Sequence, residues 1–180
     1  MLDAAATQQL ADSRSYDDLD PQNCWYEWQM TRREMGRKPD IAPGARIHAI
    51  DGSDAAYQQT LHDAQASLAS FRKRLPNPNA LIKTTLNQGE KRVYLWLHEV
   101  RKKAQGFTAV IFEISADFSA DFNDYAVGDT IEMAADDVLD WLINTHGRLE
   151  GGFSLRYARA RLSEEARAEY DEYVGVSSYV

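Results

Sequence analysis

The sequence predicts an α+β fold: a curved antiparallel sheet of about five strands, packed by a long amphipathic helix and flanked by N- and C-terminal helices. Three observations predict it. Tyr57, Leu61, Ala64, Leu68, Phe71 and Leu75 recur at spacings of four and three, which draws one apolar stripe along a helix. Residues 80–114 instead alternate or run apolar in short stretches divided by Asn- and Gly-containing turns, the pattern of strands and hairpins. Ser163-Glu164-Glu165 and Gly175 bracket a last helix with a cap at one end and a stop at the other.

The elements follow in chain order. Ala4 to Leu10 suits a short helix, and Ser13 to Asp20 a loop. Asp20 is placed to cap, and Pro21 to open, a helix that carries Trp25, Trp28 and Met35 to a stop at Gly36. Lys38 to Gly52, with Pro39, Pro43 and Gly44, reads as an extended connection. Ser53 or Asp54 caps the long helix, Arg72-Lys73-Arg74 suit its C-terminal dipole, and Pro76 ends it. Asn77-Pro78-Asn79 then separates a helical N-terminal part (1–78) from a β-rich part with its terminal helix (79–180), the two making one compact unit.

Ala80 to Leu86 is the first strand and Asn87 to Glu90 its hairpin turn. Arg92 to Val100 alternates, with Val93, Leu95 and Leu97 on one face and Tyr94, Trp96 and His98 on the other. Phe107 to Ile114 is apolar on both faces and reads as a central strand. Gly128 to Arg161 is the most patterned stretch. There, Gly128-Asp129 opens a short strand, and Asp136-Asp137 opens one or two helical turns through Leu139 to Ile143. Asn144-Thr145-His146-Gly147 is a second turn, and Gly151-Gly152 leads into a closing strand, Phe153 to Tyr157.

Charge and composition narrow the function. The 180 residues carry a formal charge of −8, which disfavours a nucleic-acid binder, since that needs a basic face. No apolar run approaches the ~18 residues of a membrane span, and Met1-Leu2-Asp3-Ala4 has neither region of a secretory signal. Cys24 is the single cysteine, so there is no internal disulfide framework, and a cytoplasmic protein is expected. From Ala104 to Gly147 there is no Lys or Arg, yet this stretch holds Glu113, Asp117, Asp121, Asp124, Asp129, Glu132, Asp136, Asp137 and Asp140. Such a zone favours a basic partner, set against the ordinary reading of a solvated face.

No constellation of catalytic type emerges. His48, His62, His98 and His146 form no metal-ligand spacing, and Asp117, Asp121, Asn123 and Asp124 lack the EF-hand pattern and its glycine. No phosphate-cradling loop or nucleophile elbow is present, so no cofactor, metal or catalytic residue is expected. Cys24, set among Trp25, Tyr26 and Trp28, reads as packing. Asp140 and Arg156 read as an ion pair holding a short helix against the closing strand. The functional reading of the same residues is a ligand cleft, with Arg156 as an anion contact and Trp141 as a stacking wall.

Lys83 in the first strand, Tyr94-Leu95-Trp96-Leu97, Gly128-Asp129, Asp140-Trp141-Leu142 and Gly151-Gly152-Phe153-Ser154-Leu155-Arg156 stand together in one order. On these residues Leu81 to Leu162 resembles the bacterial family of unknown function numbered 2314. The chain departs from it at Ser115 to Ala126, where a longer acidic loop without proline replaces a short Asn-x-Pro element, and residues 1–78 fall outside the likeness. The family brings no established reaction. Some relatives stand beside domains associated with immunity against bacterial toxins, which implies a binding role.

The expectation is therefore a non-enzymatic cytoplasmic binding protein of the immunity type that occludes a basic protein, such as a toxin. Its contact residues would be Asp117, Phe118, Asp121, Phe122, Asp124 and Tyr125, aided by the acidic terminal helix. The alternative is a small-ligand protein or enzyme using a cleft near Asp140, Trp141 and Arg156.

Overall fold

Helix α1 (Ala55–Lys73) begins where Asp54 turns its carboxylate onto its own first turn. Its Oδ1 accepts from the N–H of Ala56 at 2.8 Å and of Tyr57 at 3.4 Å. The computed structural model describes residues 53–114 and 121–180. The helix expected between Pro21 and Gly36, with Cys24, lies outside the described residues, as do Asp117 and Phe118.

The chain forms two compact units. The described part of the first comprises residues 53–114, 121–143 and 151–157, and that of the second comprises residues 144–150 and 158–180. In the first, β1 (Ala80–Gln88) and β2 (Lys91–Lys102) make a hairpin, followed by β3 (Gly106–Ile111) and β4 (Thr130–Ala134). A single 3₁₀ turn, Ala135–Asp137, precedes β5 (Asp140–Thr145). Then come β6 (Arg148–Gly151), α2 (Phe153–Ala160), α3 (Glu164–Val174) and β7 (Ser178–Tyr179). The seven strands hydrogen-bond in the order β4-β3-β2-β1-β5-β6-β7, antiparallel except for the parallel pair β6–β7. The fold is α+β with a mostly antiparallel open sheet.

The first unit's core explains the apolar stripe. Ala64, Leu68 and Phe71 of α1 pack on Ala80, Ile82, Leu86, Val93 and Leu97 of the hairpin and on Phe107, Ala109 and Ile111 of β3. Burying one such large side chain stabilises by about 1.5–3 kcal/mol. Arg72, expected to serve the helix dipole, reaches further: its guanidinium donates to the carbonyls of Gly106, Lys103 and Ala104 and holds the β2–β3 turn against the end of α1. In the second unit Leu149, Ala158, Tyr170, Val174 and Val176 are buried. There Arg159 pairs with Asp171 through two bonds of 2.6 and 2.7 Å, and Tyr179 donates to the same carboxylate at 2.6 Å. Ser163 caps α3, and Gly175, at φ 66°, ends it as expected.

Three expectations change. The sheet has seven strands where about five were expected, because the residues from Asp140 onward are strand and the tail adds β7. Leu139 to Ile143 is not helical: Asp137 does close a turn, its Oδ2 accepting from Ala134 N–H at 3.1 Å, but Val138 at ψ 117° returns the chain to extended form. Phe153 to Tyr157 is not a closing strand but the first part of α2. The turn 144–147 stands, with His146 and Gly147 both at positive φ (52° and 77°), as a tight two-residue hairpin requires.

Candidate functional site

Both sequence-derived regions fall in the first unit, and their polar groups behave differently. The first centres on Asp140, which is 1% exposed at the start of β5. Its Oδ1 accepts from the N–H of Trp141 at 2.8 Å and of Phe153 at 3.1 Å; Oδ2 accepts from Ser154 N–H at 2.7 Å. The carboxylate thus caps the N-terminus of α2 from a neighbouring strand, where unsatisfied N–H groups and the helix dipole favour an anion. Burial pushes its carboxyl above the usual range, while the bonds from Ser154 and Trp141 and the charge of Lys83 draw it back.

Gly151 and Gly152 make this approach possible. Both have positive φ (70° and 63°), and Gly152 N–H donates to Trp141 O at 2.7 Å. A Cβ on Gly151 would stand 2.3 Å from that oxygen and 2.7 Å from the Trp141 ring. This close approach of backbone to backbone leaves no room for a side chain at Gly151.

Trp141 is core. It is 5% exposed, its ring stacks on Phe71 at 5.0 Å and meets Phe153 edge-on at 6.0 Å. Its Nε1 donates to Ala64 O at 3.2 Å and Ser67 Oγ at 3.1 Å. An indole enclosed in this way offers no stacking wall to a ligand. The expected Asp140–Arg156 pair does not form, because the Asp140 oxygens are taken by backbone N–H groups. Arg156 Nε instead donates to Gly151 O at 2.8 Å, tying the first turn of α2 to its own glycine entry.

The second region is the described part of the β3–β4 connection. Phe122 is 2% exposed and belongs to the core, so it is an anchor for the loop and not a contact for a partner. Tyr125 is half-buried against that core and donates to Asn87 O at 3.0 Å. Gln88 clamps the loop from the hairpin: its Nε2 bonds Asn123, and its Oε1 accepts from Asp124 N–H at 3.1 Å. Asp121 pairs with Lys91, both exposed. The Asp124 side chain is exposed. Asp129 Oδ2 accepts from Ala126 N–H at 2.7 Å and closes the turn before β4.

Among the described residues no group of three or more His, Cys, Asp or Glu side chains is placed to hold a metal ion, and no described helix is long and apolar enough to cross a membrane. Sequence reasoning passed over Lys83, Trp96 and Ser154 as a group. Its available signal was a lysine in the middle of strand 80–86, directly after the apolar run Ala80-Leu81-Ile82.

Residues 54–177 match the family described as an uncharacterized protein conserved in bacteria (DUF2314). The chain belongs to that family, and the match reaches beyond 81–162 at both ends, taking in α1 and α3. No curated protein and no solved structure matches the chain.

Proposed function

We propose that this protein is a non-enzymatic cytoplasmic binding protein of the immunity type, which occludes a basic protein partner through the acidic connection between β3 and β4. The observation that carries the reading is the way this loop is held. Phe122 plugs it into the core, and Gln88 and Asn87 fix it to the hairpin end, while the Asp124 carboxylate stays in solvent. Contacts that hold residues 122–125 before binding reduce the conformational entropy this part loses on association. Exposed carboxylates in a stretch without a single Lys or Arg steer a cationic partner and set its orientation. Lys91 already neutralises Asp121, so Asp124 is the stronger attractor of the two.

The test compares tagged wild-type protein with the double variant Asp121→Lys/Asp124→Lys, as bait for basic proteins of a bacterial lysate at low and physiological salt. The reading predicts a basic protein retained in near-stoichiometric amount by the wild type, weakened by salt and lost from the variant. Equal retention by both baits, with both equally folded, would remove the acidic connection as the contact surface.

A further inference from the structure

Directly opposed residues of antiparallel strands share a face. The registers Lys83↔Trp96 and Lys83↔Asp140 therefore lay Trp96, Lys83 and Asp140 in one row across β2, β1 and β5. Lys83 Nζ donates to Ser154 Oγ over 3.3 Å and lies 5.8 Å from the centre of the Trp96 ring. Asp140 acts on this ammonium only through space, since its oxygens are occupied by the backbone at the start of α2. An ammonium has three N–H donors. Ser154 takes one, and the other two find no acceptor among the described residues. Burial draws the Lys83 amine below its ordinary range, with Asp140 opposing, so the group is desolvated without a contact counter-ion. The row is not sealed. Trp96 and Lys83 are half-buried, and Tyr94, two residues along the same face of β2, is 52% exposed.

We propose that this row is a binding subsite for a small monocarboxylate, whose oxygens take the two free N–H groups of Lys83 and whose apolar body packs on Trp96 and Tyr94. The charge on the row selects the class. It offers one cation beside the already capped Asp140, and the next cation on that face of β2, Arg92, donates to Asn87 at 3.2 Å. One ammonium neutralises a carboxylate but leaves a phosphate dianion half-compensated. The subsite is separate from the acidic connection and stands or falls without it.

The test titrates the full chain with benzoate, its uncharged analogue benzamide, and phenyl phosphate, reading by NMR the Lys83 Nζ and Trp96 indole resonances. Benzoate is expected to move both resonances saturably and benzamide to move neither, with phenyl phosphate weaker than benzoate. Lys83→Met should raise the benzoate Kd about tenfold or more, and Trp96→Leu a few-fold. Unmoved resonances under benzoate, or equal affinity in Lys83→Met, would make Lys83 a structural amine only. Tighter binding of phenyl phosphate would overturn the assignment to carboxylates. The wild-type titration decides the matter even where Lys83→Met does not fold.

Discussion

Asp140 and Asp124 belong to the same compact unit and the same cation-free stretch, yet the fold uses them in opposite ways. Asp140 is buried, accepts from the N–H groups of Trp141, Phe153 and Ser154, and joins the strand β5 to the helix α2. Asp124 is exposed, and only its backbone N–H is engaged, by Gln88. The contrast separates patterning from availability. Asp140-Trp141 and Gly151-Gly152 are recognisable because each residue meets a demand of the backbone, which leaves little of them for a partner. The acidic connection has weak patterning and free valence.

Breaking the first region should have the largest effect. Asp140→Ala strips the acceptor from three buried or half-buried N–H groups and is expected to cost about 3–5 kcal/mol in thermal unfolding. Asp140→Asn keeps one acceptor oxygen and should cost about half as much. Gly151→Ala comes next, at about 2–3 kcal/mol, because it combines positive φ with a Cβ driven onto Trp141 O at 2.3 Å. A stability loss below about 0.5 kcal/mol in that variant would contradict the close approach.

The Lys83 row sharpens the comparison through pH. Its folded pKa lies below the unfolded value of 10.5, so between the two the unfolded chain binds the proton more and stability gains as pH rises. Compared with Lys83→Met, wild-type stability should therefore improve as pH climbs toward 10, measured as the difference between their unfolding midpoints. A difference independent of pH would place the ammonium in water. The smallest effect on stability belongs to the acidic connection: Asp121→Lys/Asp124→Lys should stay within about 0.5 kcal/mol of wild type while abolishing the salt-dependent part of partner association, measured as kon against ionic strength.

How much of this was legible in the sequence depends on whether the cause of each element is local. The stripe from Tyr57 to Leu75, the alternation of Arg92 to Val100 and the Ser163–Gly175 bracket each carry their cause within a few residues, and α1, β2 and α3 match them. Two stretches do not. From Asp140 to Asn144 every residue is buried, so no alternation marks the strand, and such a short apolar run is ambiguous by period. Phe153-Ser154-Leu155-Arg156-Tyr157 alternates like a strand but is helical, because its cap comes from Asp140, 13 residues back, and from the turn made by Gly151-Gly152. The same distance hid the site. Sequence spacing paired Asp140 with Arg156, whereas Asp140 accepts from backbone N–H groups and Arg156 Nε donates to the Gly151 carbonyl, contacts that spacing does not display. Phe122 looked like an exposed aromatic among acids; its burial depends on the core that β1, β2 and β3 build.

The most direct measurement is urea unfolding of Asp140→Ala and Asp121→Lys/Asp124→Lys beside the wild type. The midpoint should fall sharply for the first with the slope m preserved, and the curve of the second should superimpose on the wild type. A wild-type curve from Asp140→Ala together with a destabilised loop variant would reverse the assignment, making the acidic connection the lock and the Asp140 motif the free surface.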